Sequence, residues 1–191
     1  MTSHWQAVRA HLQNNDVAAA ARYLESEFSV TPDDRFVFVA HHQFINSPTE
    51  VLAYINAFVE ACSEKFDLKA VYLEMNGFAI NPDRWYFEPF GYGTYDDDPD
   101  ELDWLCDWLS PQWPSKTLVG LGKTQSDFRW YSAERVWKTR THERVHGLAE
   151  LLVMVRFVQL VQSSLKCGRL AKPVPVLATA HDFDILGRFL P

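Results

Sequence analysis

The architecture of this chain follows from residues 47–74, SPTEVLAYINAFVEACSEKFDLKAVYLE, which contain a capped helix and then a strand. Ser47 fits the N-cap position, Pro48 fits the first helical position, and Glu50 completes a capping box. An apolar stripe at helical spacing continues the helix through Leu52, Ile55, Phe58, Val59, Cys62 and Phe66. Lys69–Glu74 then returns as a strand, so the segment predicts a helix packed on a sheet.

A second apolar run precedes this helix. Arg35–Ala40 is predicted as a fully buried strand, because an unbroken β-branched and aromatic run needs cover on both faces. Together with the helix and the following strand it forms a strand-helix-strand unit, which implies a parallel pair. Residues 78–80 and 85–87 flank the turn at 81–84, which predicts a hairpin and therefore a mixed sheet.

The remaining segments complete an α+β fold, with a mixed parallel/antiparallel sheet of five or six strands and helices on both faces. We expect a single domain over residues 1–191, with Leu152 and Val155 in the deepest part of its core. The other predicted elements are two N-terminal helices, an acidic helix at Asp98–Leu109, a strand at Lys116–Leu121, a long central helix at Thr141–Lys166 and a strand at Val174–Ala180.

Composition narrows the class of protein. The chain has 191 residues, of which 47% are hydrophobic and 14% aromatic, enough for a large core. Its formal charge of −7 argues against binding nucleic acid by neutralising phosphates.

Polar residues interrupt the apolar segment Val145–Val161, so we expect a buried helix there and no membrane span. Three distant cysteines without a CxxC pair favour free, core-like thiols and a cytoplasmic protein: Cys62, Cys106 and Cys167.

Residues 142–146, HERVH, resemble the HExxH motif of the zinc metalloproteases called zincins. On a helix this resemblance implies that His142 and His146 bind zinc and that Glu143 is the general base. No third ligand follows at the spacing of that family. Two positions that the zincin pattern leaves uncharged hold arginine here: Arg140 and Arg144. We therefore expect no bound metal and no catalytic residue, with zinc and Glu143 as the alternative.

Three other features have structural explanations. Without a metal, His146 would pair with Glu150 one helical turn later. Residues 120–124 end like a phosphate-binding loop, but Thr117 stands where that loop requires glycine, so a turn is predicted. A basic region interleaved with aromatic residues is expected to pair with the acidic part of the chain, in the same molecule or in a second copy. Its members are Lys123, Arg129, Arg135, Lys138, Arg140 and Arg144.

The most unusual composition lies between residues 86 and 113, where aromatic side chains lead into a run of aspartates. On the predicted helix Trp104 and Trp108 share one face and aspartates share another. Either the tryptophans face the core, or part of this surface meets a basic partner, because aromatic side chains anchor interfaces and carboxylates steer cations. The candidate partner-binding residues are Tyr92, Tyr95, Asp96, Asp97, Asp98, Asp100, Asp103 and Trp113.

In overall character, a small, acidic and tryptophan-rich chain with no intact catalytic motif resembles the bacterial immunity proteins that inhibit cognate toxins. This resemblance implies a binding protein that inhibits or escorts a basic protein partner, for which a toxin is one candidate. The partner-binding function is the leading hypothesis. The alternatives are a zinc-dependent hydrolase and a structural domain that self-associates, for example as a homodimer, through its acidic and basic segments.

Overall fold

The computed structural model describes residues 2–30, 35–78, 81, 83–98, 101–134 and 140–191. Within these residues the chain forms six α-helices, one 3-10 helix and five strands. The helices are α1 (Thr2–Gln13), α2 (Val17–Ser29), α3 (Phe38–His41), α4 (Pro48–Ser63), α5 (Gly122–Ala133) and α6 (Arg140–Leu165), with the 3-10 helix at Asp103–Cys106. The strands are β1 (Ala70–Asn76), β2 (Tyr86–Tyr92), β3 (Lys116–Thr117), β4 (Val176–Ala180) and β5 (Gly187–Phe189).

The five strands form one mixed sheet in the order β3-β2-β1-β4-β5. β1 pairs antiparallel with β2 and parallel with β4, while β3 and β5 extend the sheet antiparallel at its two edges. The α+β class with a mixed sheet of five or six strands is therefore confirmed.

One face of the sheet supports the helical core. Val71, Leu73 and Met75 of β1 point to this face and are fully buried. Phe87 of β2 lies beside them and contacts Phe157 of α6 at 5.3 Å and a tyrosine of α4 at 5.4 Å between ring centroids. Strand alternation on this side therefore positions β1 and β2 beneath α4 and α6.

The opposite face, called the outer face below, is defined by Tyr72, Glu74, Glu88 and Phe90. These residues are paired across β1 and β2, Tyr72 with Phe90 and Glu74 with Glu88. Residues 93–110 are called the acidic segment below. In its described part, Trp104 of the 3-10 helix packs on Tyr92, and Trp108 packs on Phe90 of this face.

Helix α6 is the centre of the core, as the sequence predicts. Leu152 is 0% exposed and Val155 is 1% exposed. The part of α6 from His142 to Leu165 is long and apolar enough to cross a membrane, yet 72% of its most apolar window is buried inside the protein. The same burial is expected of a core helix in a globular protein.

The prediction of a strand at Arg35–Ala40 is wrong, because Phe38–His41 forms helix α3. Phe36 has a φ of 62°, in the left-handed region that a strand does not use. Its ring is nevertheless fully buried, with edge-on contacts to Phe128 and Tyr131. The parallel partner of β1 is accordingly β4 and not this segment.

The helix predicted at Asp98–Leu109 is reduced to the 3-10 turn at Asp103–Cys106. Trp108 instead forms an isolated β-bridge with Tyr92, so its backbone belongs to the edge of the sheet. A helix cannot continue through a residue whose backbone is extended, and the expected tryptophan stripe therefore does not form.

Further boundaries also differ from the predictions. The strand expected at Lys116–Leu121 is limited to Lys116–Thr117, and helix α5 begins at Gly122, where a turn was expected. β4 begins at Val176, two residues after the predicted start at Val174, and β5 was not predicted. Of the three cysteines expected in the core only Cys62 is buried, while Cys106 and Cys167 are exposed.

Candidate partner-binding surface

The acidic segment is fixed to the edge of β2 by backbone hydrogen bonds. The amides of Leu109 and Ser110 donate to the carbonyl of Gly91 at 2.9 and 3.2 Å. The hydroxyl of Ser110 accepts a hydrogen bond from the Gly91 amide at 3.0 Å. Together with the bridge between Tyr92 and Trp108, these contacts hold the end of the segment against a rigid strand.

Aromatic packing supports the segment from below. The ring of Trp104 makes edge-on contacts with Tyr92 at 4.9 Å and Tyr95 at 5.5 Å. The Tyr92 hydroxyl donates to the carbonyl of Leu105 at 3.2 Å. Tyr92 is only 2% exposed, and this burial, followed by the charge of Glu74, raises the pKa of its hydroxyl. Tyr92 therefore positions the segment and does not itself present a surface to a partner.

Two large apolar side chains remain in solvent at the end of the segment. Trp108 is 54% exposed and Leu109 is 57% exposed. The indole of Trp108 rests edge-on against Phe90 of β2, with 5.8 Å between ring centroids. Asp103 and Asp107 beside them are also exposed. The result is an apolar pair on a fixed backbone with carboxylates at its margin.

Two carboxylates face each other on the outer face next to this pair. Glu74 of β1 lies directly opposite Glu88 of β2 in the antiparallel register. Nδ1 of His181 lies 2.8 Å from Oε1 of Glu74, and this hydrogen bond raises the pKa of the histidine. Burial, followed by the charge of Glu74, raises the pKa of Glu88. A cation beside Glu88 would stabilise its ionised form.

The structure brings together some of the residues predicted to bind a partner. Trp113 is half-buried and packs on Phe58 of α4 at 5.6 Å between ring centroids. Asp100 lies outside the described residues. The exposed aspartates of the predicted set are Asp96, Asp97, Asp98 and Asp103, and Tyr95 beside them is half-buried.

Sequence reasoning missed the residues that the sheet contributes to this surface: Glu74, Glu88 and Phe90. The alternation of polar and apolar residues along each strand was a signal that they share one face. The pairing of Glu74 with Glu88 did not follow from the sequence, because the predicted hairpin joined residues 78–80 to residues 85–87. In the structure, Ala70–Asn76 pairs with Tyr86–Tyr92, which sets a different register.

The zincin-like residues lie in two different environments. The ring of His146 is stacked on Tyr131 at 4.0 Å between centroids and touches Phe128 at 4.5 Å. Burial there lowers the pKa of His146 to about 4. His142 instead lies edge-on to Trp130 at 5.6 Å between ring centroids.

Glu143, the alternative catalytic base, is exposed. Within the described part of the chain, no three His, Cys, Asp or Glu side chains come together to hold a metal ion. No hydrogen bond or ion pair between His146 and Glu150 is found among the described contacts, so the expected pairing of these two residues is not seen. Burial alone raises the pKa of Glu150 to about 6.

The ion pairs that the structure describes for the basic region involve carboxylates outside the acidic segment. These pairs are Lys123 with Asp127, Arg129 with Asp83 and Arg144 with Glu27. None of these three carboxylates belongs to the acidic segment. The side chains of Arg135, Lys138 and Arg140 lie outside the described residues, so their predicted pairing stays a prediction.

Comparison with known proteins finds no matching protein-family model, no similar curated protein and no similar solved structure. An inference about function therefore depends on the chemistry of the surface itself: its exposed indole, its carboxylates and their rigid support.

Proposed function

We propose that this protein binds a basic protein partner through the acidic segment and the adjoining outer face. The observation that carries the proposal is the exposure of Trp108 and Leu109 on a backbone that is hydrogen-bonded to β2. Tryptophan is enriched among the residues that contribute most to binding energy, and a fixed backbone reduces the entropy lost on association. An exposed apolar pair of this kind is typical of the centre of an interface.

Charge indicates the class of partner. The chain carries a formal charge of −7, and exposed aspartates occur along the acidic segment, with Asp107 directly before the apolar pair. Carboxylates at the margin of an interface attract a cationic partner over a distance and exclude acidic ones. The character shared with immunity proteins makes a basic toxin the first partner to examine, with inhibition by occlusion as the expected consequence of binding.

The experiment begins with the purified chain as bait, followed by identification of captured proteins and measurement of binding kinetics with the purified partner. Replacing Asp96, Asp97, Asp98, Asp100 and Asp103 together by asparagine and serine should reduce the association rate about tenfold at low ionic strength. Salt should reproduce the effect in the unmodified protein, because charges are screened beyond about 8–10 Å at physiological ionic strength. The fold should be unaffected, because exposed charges contribute little to stability.

A matched pair of variants tests the apolar centre. Trp108→Ala should increase the dissociation rate by more than tenfold, the range seen for interface hot spots of about 2 kcal/mol. Ile45→Ala is the control and should bind normally, because Ile45 is 73% exposed and belongs neither to the acidic segment nor to the outer face. Equal affinity of the two variants would contradict the proposal, as would capture of acidic proteins only. Capture of this chain alone would instead favour self-association.

A further inference from the structure

The edge of β2 contains a cleft beside Trp108. β2 is hydrogen-bonded to Leu109 and Ser110 at Gly91, and it pairs with β3 at Tyr86 and Phe87. Between these contacts the neighbouring chain moves away from the strand and leaves a cavity of about 220 Å³. This volume lies below the roughly 300–1,000 Å³ of pockets for small-molecule ligands and cofactors, and it suits a single side chain.

The cleft presents acceptors to whatever enters it. The carbonyls of Trp85 and Gly91 both point to this edge, because they accept hydrogen bonds from the chain beside it. Pro89 lies between them at an even spacing along the extended chain, so its carbonyl points to the same edge. Proline has no N–H, and Pro89 and Pro111 both line the cleft, so neither contributes a donor.

Glu88 adds a carboxylate to this lining. Among the described contacts Glu88 has no hydrogen bond or ion pair. Arg84 is close enough to influence the pKa of Glu88, but its guanidinium donates to the hydroxyl of Thr117 at 2.8 Å and to the hydroxyl of Ser115 at 3.0 Å. The carboxylate therefore lines the cleft without a bonded counterion.

Aromatic rings complete the lining. Phe90, Trp108 and Trp113 all border the cleft. The faces of such rings attract cations, tryptophan most strongly. The same protein shows the interaction elsewhere, where the guanidinium carbon of Arg35 lies 3.5 Å from the ring centroid of Trp130.

We propose that this cleft receives one arginine side chain of the basic partner. The inference rests on the proposed function and specifies how that partner is recognised. A planar guanidinium can stack on the rings while its N–H groups reach the Glu88 carboxylate and the Pro89 carbonyl. A lysine ammonium would be attracted by the same charge. It lacks the planar group with five donors that can stack on the rings and hydrogen-bond to the oxygen acceptors at the same time.

The position of Glu88 opposite Glu74 supports this assignment. Like charges directly across two strands repel each other, and burial adds to the cost of ionising Glu88. A guanidinium in the cleft would offset both effects by its attraction for the Glu88 carboxylate. In the free protein this repulsion costs stability, and in the complex the incoming charge offsets it.

The test is a titration of the full chain with N-acetyl-arginine amide, followed by the indole N–H signals of the tryptophans in ¹H–¹⁵N NMR. The signals of Trp108 and Trp113 should shift and saturate at ~1–10 mM, the affinity expected for a single side chain. The signal of Trp85, which is buried and 2% exposed, should stay in place. The citrulline analogue has nearly the same shape without the charge and should produce no saturable shift.

A charge-matched pair of variants completes the experiment. Glu88→Gln should weaken the arginine titration by more than fivefold, because it removes the charged acceptor. Glu60→Gln removes the same charge from an exposed position on α4, outside both the cleft and the acidic segment, and should titrate like the unmodified chain. Equal shifts with citrulline, equal weakening by both variants, or a tighter fit for N-acetyl-lysine amide would overturn the proposal.

The two proposals can fail separately. If the arginine probe saturates the cleft and no basic protein binds the chain, the cleft stands and the partner-binding function fails. If a basic partner binds with the predicted salt dependence and Glu88→Gln binds it unchanged, the function stands and the cleft is not where arginine is recognised.

Discussion

Arg156 of α6 reaches Glu25 of α2 through a hydrogen-bonded ion pair, with 2.7 Å between Nη2 and Oε1. The same guanidinium nitrogen lies 3.4 Å from the carbonyls of Val39 and Ala40 at the end of α3. One side chain therefore joins three helices at the centre of the protein. The Arg156 side chain is 8% exposed, whereas the Glu25 side chain is 34% exposed.

This difference in exposure predicts that replacing Glu25 and replacing Arg156 lower the free energy of unfolding by different amounts. Glu25→Gln should lower the free energy of unfolding by about 2–3 kcal/mol, because the buried guanidinium would keep its charge without a counterion. Arg156→Met should cost less, about 1–2 kcal/mol, because water can solvate the carboxylate that remains. Urea denaturation measures both, with exposed Glu60→Gln as a control expected within about 0.5 kcal/mol of the unmodified protein. A larger loss for Arg156→Met would show that its carbonyl contacts outweigh the ion pair.

Truncation of Leu152 tests the central position of α6. Leu152 is 0% exposed, so Leu152→Ala should lower the free energy of unfolding by about 2–5 kcal/mol through lost burial and the cavity left behind. Leu190→Ala at a residue that is 67% exposed provides the comparison and should cost little. A loss below about 1 kcal/mol for Leu152→Ala would mean that the helix is peripheral.

Two partly buried groups on α6 give opposite dependences on pH. The pKa of His146 falls from 6.5 to about 4, so its contribution to stability is present above pH 6.5 and is lost as pH falls towards 4. The pKa of Glu150 rises from 4.5 to about 6, so its contribution is present below pH 4.5 and is lost as pH rises through 6. Between pH 4.5 and 6 the two slopes oppose each other and should nearly cancel.

Single substitutions should reveal each slope. Relative to the unmodified protein, Glu150→Gln should gain about 2 kcal/mol at pH 8 and lose that advantage by pH 4.5, since it removes a buried carboxylate that ionises at a cost. His146→Phe should show the reverse, with an advantage that grows on acidification. Denaturation curves at several pH values provide the measurement. Parallel stability profiles for all three proteins would mean that neither group is buried as described.

Gly120 and Gly122 form a natural matched pair. Gly120 has a φ of 116°, and a Cβ at this position would lie 2.6 Å from the carbonyl oxygen of Gln43. Gly120→Ala should therefore destabilise the protein by about 2–3 kcal/mol. A Cβ on Gly122 would meet nothing within 4 Å, and Gly122→Ala should be neutral or stabilise by up to about 1 kcal/mol. Equal thermal stability of the two variants would contradict the left-handed backbone and the close contact at Gly120.

Local chemistry made part of this fold predictable. The hydroxyl of Ser47 accepts a hydrogen bond from the Glu50 amide at 3.4 Å, as the capping box predicts, and Pro48 begins α4. Caps and prolines act over a few residues, so a sequence shows them directly. The long apolar helix was equally clear, because its length distinguishes it from a strand.

Long-range packing decided what the sequence could not show. The apolar run at Arg35–Ala40 is compatible with a buried strand and with a buried helix. The observed conformation is set by long-range contacts, in which Phe36 packs on Phe128 of α5 and His146 of α6. Trp108 follows aspartates at helical spacing, yet its backbone pairs with Tyr92. The candidate surface depends on that pairing and on the opposition of Glu74 and Glu88, both set by strand register. No local pattern encodes either relationship.

The place of β1 in the sheet has a consequence for biosynthesis. Its antiparallel neighbour β2 follows after a short connection, whereas its parallel neighbour β4 begins only at Val176, beyond α6. While the chain emerges from the ribosome, the hairpin can form early, but one side of β1 keeps unpaired N–H and C=O groups until β4 arrives. Such an edge is a template for other nascent chains. The yield of folded protein should therefore depend on the time between the synthesis of these two strands, and chains that stall within α6 should be the most prone to aggregate.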